Sequence, residues 1–257
     1  MTQFHIGTSG FSFKEWKGSF YPEDLPERLF LNYYGEHFST VEINNTFHRM
    51  PKRELLARWR KEVPPQFVFI LKAPQRITHM MRLEGIADAV HYFLETAAEL
   101  GPQLGPLLFQ LPPYLPKNVG RLRGLLSLVP PGQRVALEFR HASWHDDEIY
   151  ALLREHSAAL CCSDSDASEE AAPLVKTAPW AYLRLRRETY EGAALRGWAT
   201  KAREYSDAFV FFKHEQAGAG PRVAAEFASL VDEEPTRLAR PSRGAARSAA
   251  ARSANEP

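Results

Sequence analysis

Eight short apolar runs recur along the chain, and most are separated by a segment with the spacing of an amphipathic helix. This alternation constrains the fold more than any single motif, because strands interleaved with helices build parallel βα units rather than hairpins. The runs span 4–9, 40–47, 67–74, 106–112, 134–141, 159–164, 181–186 and 208–214. Helical spacing covers 26–37, 52–62, 86–100, 119–128, 146–155, 195–205 and 222–231. In the third of these, Val90, Phe93, Leu94, Ala97 and Leu100 form one apolar stripe. Eight such units within about 230 residues match the usual size of a TIM-type (β/α)8 barrel. An open doubly wound sheet is the alternative, and the count of eight and the lack of a Gly-x-Gly-x-x-Gly turn count against it. The weakest unit is the sixth, where 168–175 is too short and acidic for a full helix.

The chain has 257 residues, and 44% of them are hydrophobic, enough for one sizeable core. Residues 1–232 are read as the barrel and 233–257 as a disordered tail rich in Arg, Ala and Ser. The net charge of +1 hides an uneven distribution: 236–257 carries five arginines and one glutamate, so the rest is slightly acidic. Global charge therefore gives no case for nucleic acid, and anion binding has to come from local placement. The two cysteines, Cys161 and Cys162, are sequence neighbours and poorly placed to bridge, so no disulfide-linked partner is expected. No stretch approaches the roughly 18 apolar residues of a membrane span and no apolar signal core opens the chain, so a cytoplasmic location without membrane contact is expected.

Within the runs, apolar residues alternate with charged or amide-bearing ones toward the carboxyl end. Val41 and Ile43 share one face while Glu42 and Asn44 share the other, and the pattern repeats at Glu138 with Arg140 and at Arg184 with Arg186. In a barrel the ligand site lies at the carboxyl ends of the strands. This predicts a mouth built from Thr8, Ser9, Phe11, Trp16, Asn44, Thr46, Gln110, Arg140, His141, Trp144, Asp164, Arg184, Arg186, Tyr190, Lys213 and His214. Among the deeper charges, Lys72, Arg140, Arg184, Arg186 and Lys213 give five positive groups against three negative ones, Glu42, Glu138 and Asp164. The surplus favours an anion, and arginine forks suit phosphate or carboxylate. Any single charge pair is as readily a buried pair that fixes barrel register.

The expected ligand is an anionic small molecule or a nucleic acid: a sugar phosphate, a nucleotide or a phosphodiester backbone. Aromatic residues such as Phe11, Trp16 and Trp144 would ring the site. The most economical chemistry is that of a hydrolase or lyase, with Glu42 or Glu138 as general base and Lys72 or His79 as acid or electrostatic stabiliser. A non-catalytic nucleic-acid-binding module is the alternative. Ser9 has no activating histidine in view, and no Gly-x-Ser-x-Gly elbow is present. No cofactor is expected. Glu138, His141, Asp164 and His214 are candidate ligands for a divalent metal, but their spacing is no zinc signature and the neighbouring cations would repel a metal ion.

The strand-end motifs together resemble the domain of unknown function 72 family, the YecE-like proteins. The resemblance rests on Ile6-Gly7-Thr8-Ser9-Gly10-Phe11, Val41-Glu42-Ile43-Asn44-Asn45-Thr46-Phe47, Leu108-Phe109-Gln110-Leu111-Pro112-Pro113, Leu137-Glu138-Phe139-Arg140-His141, Tyr182-Leu183-Arg184-Leu185-Arg186 and Phe212-Lys213-His214-Glu215. It covers about 4–231 and implies a TIM-type barrel. That fold is similar to the class containing endonuclease IV and xylose isomerase, which implies phosphodiester or sugar-phosphate ligands and gives a metal-dependent nuclease or isomerase as a further alternative. The histidine-rich trinuclear zinc set of endonuclease IV has no counterpart in this chain.

Overall fold

The structure, a computed structural model, describes residues 1–165, 173–213 and 218–233. Its strands are β1 (Gln3–Ser9), β2 (Thr40–Ile43), β3 (Val68–Lys72), β4 (Leu104–Gln110), β5 (Val135–Glu138), β6 (Ala159–Ser165), β7 (Trp180–Arg186) and β8 (Asp207–Phe212). All pair in parallel and in chain order, and β8 returns to β1 to close the barrel. Around it lie α1 (Phe30–His37), α2 (Arg53–Glu62), α3 (Ala87–Ala97), α4 (Val119–Ser127), α5 (Asp147–Glu155), α6 (Gly192–Ala202) and α7 (Ala219–Glu233). The TIM-type barrel expected from the alternation is the fold observed. The sixth connection and the expected tail from 233 lie largely outside the described residues.

Strand periodicity separates two apolar clusters. Ile70, Leu108, Ala136, Cys161, Tyr182, Phe209 and Phe211 point into the lumen. Phe69, Leu71, Phe109, Leu137, Leu183 and Val210 point outward onto helix residues such as Leu56, Phe93, Leu122, Leu153 and Phe227. Burying each of these large side chains contributes roughly 1.5–3 kcal/mol, so two filled layers account for closure. At the amino-terminal end the lumen is stopped by His5 stacked on Phe209, ring centroids 4.3 Å apart, with the Arg134 guanidinium over Trp180. The lumen is therefore a packed core, with a shallow recess of about 240 Å³ beneath His5 and Arg134 and a larger cavity at the carboxyl-terminal mouth.

Two local features set the mouth's shape. A Cβ at Gly7 would sit 2.0 Å from the Thr40 carbonyl oxygen, so only glycine lets β1 and β2 approach here. Gly10, with φ +104°, turns the chain sharply out of β1 and sends Phe11 over the opening. Helix starts are capped where the sequence offers a short polar side chain: Asn118 accepts from Arg121 N, and Asp146 from Glu148 N.

Candidate functional site

The mouth is organised around one side chain, Arg184, at the carboxyl end of β7. Its Nη1 donates to Glu138 Oε2 at 2.6 Å and its Nη2 to Glu42 Oε1 at 2.8 Å. Arg184 is 3% exposed, Glu138 2% and Glu42 0%. Glu42 Oε1 also accepts from Ser9 Oγ and Asn44 Nδ2, and its Oε2 accepts from Tyr182 Oη at 2.7 Å. Glu138 Oε1 accepts from Gln110 Nε2 at 2.8 Å and Arg140 Nε at 3.2 Å. Each carboxylate oxygen is thus engaged, as buried charges require. Burial by itself would raise both acids, but at Glu42 the charge of Arg184 and the hydrogen bonds from Tyr182, Arg184 and Asn44 together outweigh it, so Glu42 lies below the usual carboxylate range. For Glu138, burial is likewise outweighed by Arg184, Arg140 and Arg186, which hold it at about 2.

Lys72, at the end of β3, has a different environment. Its Nζ donates to the neutral Gln110 Oε1 at 2.9 Å and lies 4.2 Å from the centre of the Phe47 ring. Burial first, then the nearby Arg184, pull its ammonium down to about 8, against partial opposition from Glu138 and Glu42. Burial, Lys72 and Arg140 also lower His79.

Above this layer opens a cavity of about 650 Å³. It brings together Ser9, Phe11, Asn44, Lys72, Gln110, Arg140, Arg184, Arg186 and Lys213 from the sequence-derived set. Glu42 and Glu138 are not on its surface; they lie beneath, sealed by Arg184 and its partners. Arg140 stays partly open to the cavity, with its side chain 39% exposed.

Other expected site residues are placed elsewhere. Asp164 does not join the lumen charges: on β6, Cys161 faces the lumen while Cys162 faces the helices, and period two puts Asp164 with Cys162. It accepts from Arg186 N and Tyr190 Oη, both at 2.7 Å, so Asp164 and Tyr190 brace the loop after β7. Thr8 also turns outward, its hydroxyl against Tyr34 Oη and the Gly10 carbonyl. Trp16 is buried among Phe13, Phe20 and Tyr21. Trp144 stacks on Phe139 at 4.9 Å and donates Nε1 to the Leu115 carbonyl. Neither tryptophan offers a free ring face to the mouth. Thr46 pins its loop through the Lys72 carbonyl, and His141 caps a short turn by accepting from Ser143 N. His79 packs edge-on against Phe47 beside the cavity.

Of the candidate metal ligands, Glu138 faces the lumen, Asp164 the helix layer, and His141 its own turn; His214 lies outside the described residues. Among the described residues no three His, Cys, Asp or Glu side chains group to hold a metal ion. Among them, too, no helix is long and apolar enough to cross a membrane, and Cys161 and Cys162 are buried and form no disulfide.

Sequence reasoning missed one wall of the cavity, formed by Leu31 on α1 and Leu55, Arg58 and Trp59 on α2. These residues sit on helices that border the mouth, away from the strand ends where the alternating pattern points.

Fold and site define a class: a closed TIM-type barrel whose mouth presents arginines and lysines above a sealed pair of glutamates. The chain belongs to the family described as "Protein of unknown function DUF72", which matches residues 5–247. It is 34% identical over 112 residues to the UPF0759 protein YecE of Escherichia coli K12, a match that covers 43% of this chain and only 41% of that relative's length. To the UPF0759 protein YunF of Bacillus subtilis it is 28% identical over 211 residues, 76% of this chain and 72% of the relative. The crystal structure of a DUF72 family protein from Thermotoga maritima superposes with TM-score 0.80 at 28% identity, covering 90% of this chain and 100% of that one. A DUF72 family protein from Enterococcus faecalis, at TM-score 0.73 and 17% identity over 90% of this chain and 96% of that one, shares the fold.

Proposed function

We propose that the protein is an enzyme, a lyase or hydrolase, that binds a small phosphate-bearing metabolite in the barrel mouth. One observation carries the reading: the charges at the cavity floor. Among the described residues, Lys72, Arg140, Arg184, Arg186 and Lys213 bring five positive charges to the floor of the cavity and Glu42 and Glu138 beneath it two negative ones, a formal surplus of three, while Glu27 and Glu62 line its outer wall together with Arg28 and Arg58. Asp164 is spent in the outer layer, which makes the surplus larger than strand order alone suggests. Arginine and lysine donors converging on a concave site suit the oxygens of a phosphate.

Geometry also orders the alternatives. Trp16 and Trp144 are buried and offer no stacking face, and the aromatics that do line the cavity, Phe11, Phe13, Phe47 and Trp59, enclose a volume of about 650 Å³, which suits a small molecule better than a strand. Glu42 and Glu138, held as anions under Arg184, fit anchoring of the clamp better than proton transfer. Lys72 combines access to the cavity with an ammonium pulled down toward neutral pH, to about 8.

The test is thermal unfolding of the full chain with inorganic phosphate, phosphorylated metabolites and short oligonucleotides, repeated on Arg140→Ala. Stabilisation by a phosphorylated metabolite that is lost in the variant supports the reading. Stabilisation by oligonucleotides alone, or by none of these, overturns it.

A further inference from the structure

Lys72 differs from Arg184 and Arg140, the two guanidiniums beside it, in what it is paired with. Arg184 and Arg140 are each matched by a carboxylate, whereas among the described residues no carboxylate lies within ion-pair distance of Lys72 Nζ. Its hydrogen-bond partner is the neutral Gln110 side-chain oxygen. The groups facing it are Arg184 and Arg140, which disfavour the ammonium; Glu138 and Glu42, which favour it from beneath; the Phe47 ring; and His79. Its stem is buried, the residue being 8% exposed, and its amine opens on the cavity. A lysine desolvated beside a fixed cation is the arrangement that makes an amine nucleophilic near neutral pH.

We propose that Lys72 forms an imine with the carbonyl carbon of a phosphate-bearing aldehyde or ketone held in the mouth. This deepens the metabolite reading above and rests on it. Neutral Nζ adds to the carbonyl carbon, the carbonyl oxygen leaves as water with two protons, and a C=N bond replaces C=O. Once protonated, that nitrogen accepts the electron pair when a C–C bond at the adjacent carbon breaks, the β-hydroxyl of the departing fragment becoming a carbonyl as its proton passes to water in the cavity, which is the chemistry of a lyase. The phosphate would be held by Arg140, Arg186 and Lys213, all lining the same cavity. The ionisation of Lys72, at about 8 instead of its ordinary 10.5, leaves a useful fraction of free amine at neutral pH. Lowering a lysine by that much raises its free-amine fraction by roughly two orders of magnitude.

The experiment treats the full chain with glycolaldehyde phosphate and sodium borohydride, which reduces an imine to a stable secondary amine, and maps the label by peptide mass. Glycerol phosphate, which has the phosphate and no carbonyl, serves as competitor and as a separate binding probe in thermal unfolding. We expect Lys72 to label at least roughly tenfold faster than exposed Lys52, Lys61 and Lys201, a margin set by its larger free-amine fraction. Excess glycerol phosphate should suppress that label. Lys72→Arg should abolish it while glycerol phosphate still stabilises the variant, which also shows that the variant is folded. If glycerol phosphate stabilises the protein but Lys72 labels no faster than the exposed lysines, the imine is overturned and the anion site stands. If neither phosphate binds, the anion site fails and the imine fails with it.

Discussion

Arg184 Nη1 lies 2.6 Å from Glu138 Oε2, joining strands β7 and β5 across the top of the lumen. The same guanidinium reaches Glu42 on β2, so one side chain ties three strands together. Removing one partner from a buried ion pair leaves the others charged and unmatched, which costs about 3–5 kcal/mol. Arg184→Met should lower the stability of the barrel by an amount in that range, read by urea unfolding. A loss below about 1 kcal/mol would mean that water solvates the glutamates in the variant and that the triad is not a structural clamp. Arg184 is therefore a poor position for probing ligand binding, and Arg140 is the better one.

The same contacts fix how acid acts on the fold. Glu42 and Glu138 ionise below their ordinary values in the folded chain. Their contribution is present above the unfolded carboxylate range near 4.5 and is lost as pH falls toward about 2, where Glu138 itself protonates. Stability measured between pH 5 and about 2 should fall with a slope that flattens in Glu138→Gln. An unchanged slope would show that other carboxylates dominate acid unfolding.

Lys72 predicts the opposite end of the pH range. Its folded value of about 8 lies below the ordinary 10.5, so its charged form is the one the fold disfavours. Between those two values the unfolded chain holds one more proton at this site, and the site's contribution to stability rises with pH. Anion binding moves the other way, because a phosphate gains from the ammonium and loses that attraction once it deprotonates. Phosphate affinity followed by calorimetry should drop above pH of about 8 in the parent and stay level in Lys72→Arg, whose guanidinium remains charged.

Trp144 tests whether the conspicuous aromatics of the loops serve packing or ligand. It is fully buried, stacked on Phe139 and bonded to the Leu115 carbonyl. Trp144→Ala should cost about 3–5 kcal/mol of stability, as for other large-to-small core changes. Phosphate affinity at a temperature where the variant stays folded should be unchanged, and a large loss there would return Trp144 to the binding surface.

The barrel was legible because period-two runs separated by helical stripes leave few other arrangements, and strand ends located most of the cavity floor. What stayed hidden has physical reasons. In Leu160-Cys161-Cys162-Ser163-Asp164 neither parity reads as the polar face, since both faces of a barrel strand are buried, so Asp164 could not be assigned a side. The Arg184 contacts join residues 142 and 46 positions apart, a pairing that composition and periodicity do not encode. Trp16 and Trp144 occupy loops, where pattern gives no measure of burial. Trp59 reaches the site from α2, whose placement beside the mouth is a tertiary property.

Asp164, displaced from the mouth, still bears on it through Arg186. Its Oδ1 accepts from both the Arg186 backbone and Tyr190 Oη, so the carboxylate and phenol hold the carboxyl end of β7 at the cavity edge. Tyr190→Phe removes a hydroxyl that does not line the cavity, so any effect on binding has to pass through the position of Arg186. We expect phosphate affinity to fall roughly fivefold, about 1 kcal/mol, in Tyr190→Phe. Asp164→Asn should fall similarly, and the double variant should lose less than the sum, since both act through one brace. Additive losses would mean that the two residues act separately, and no loss in either would mean that Arg186 is positioned without them.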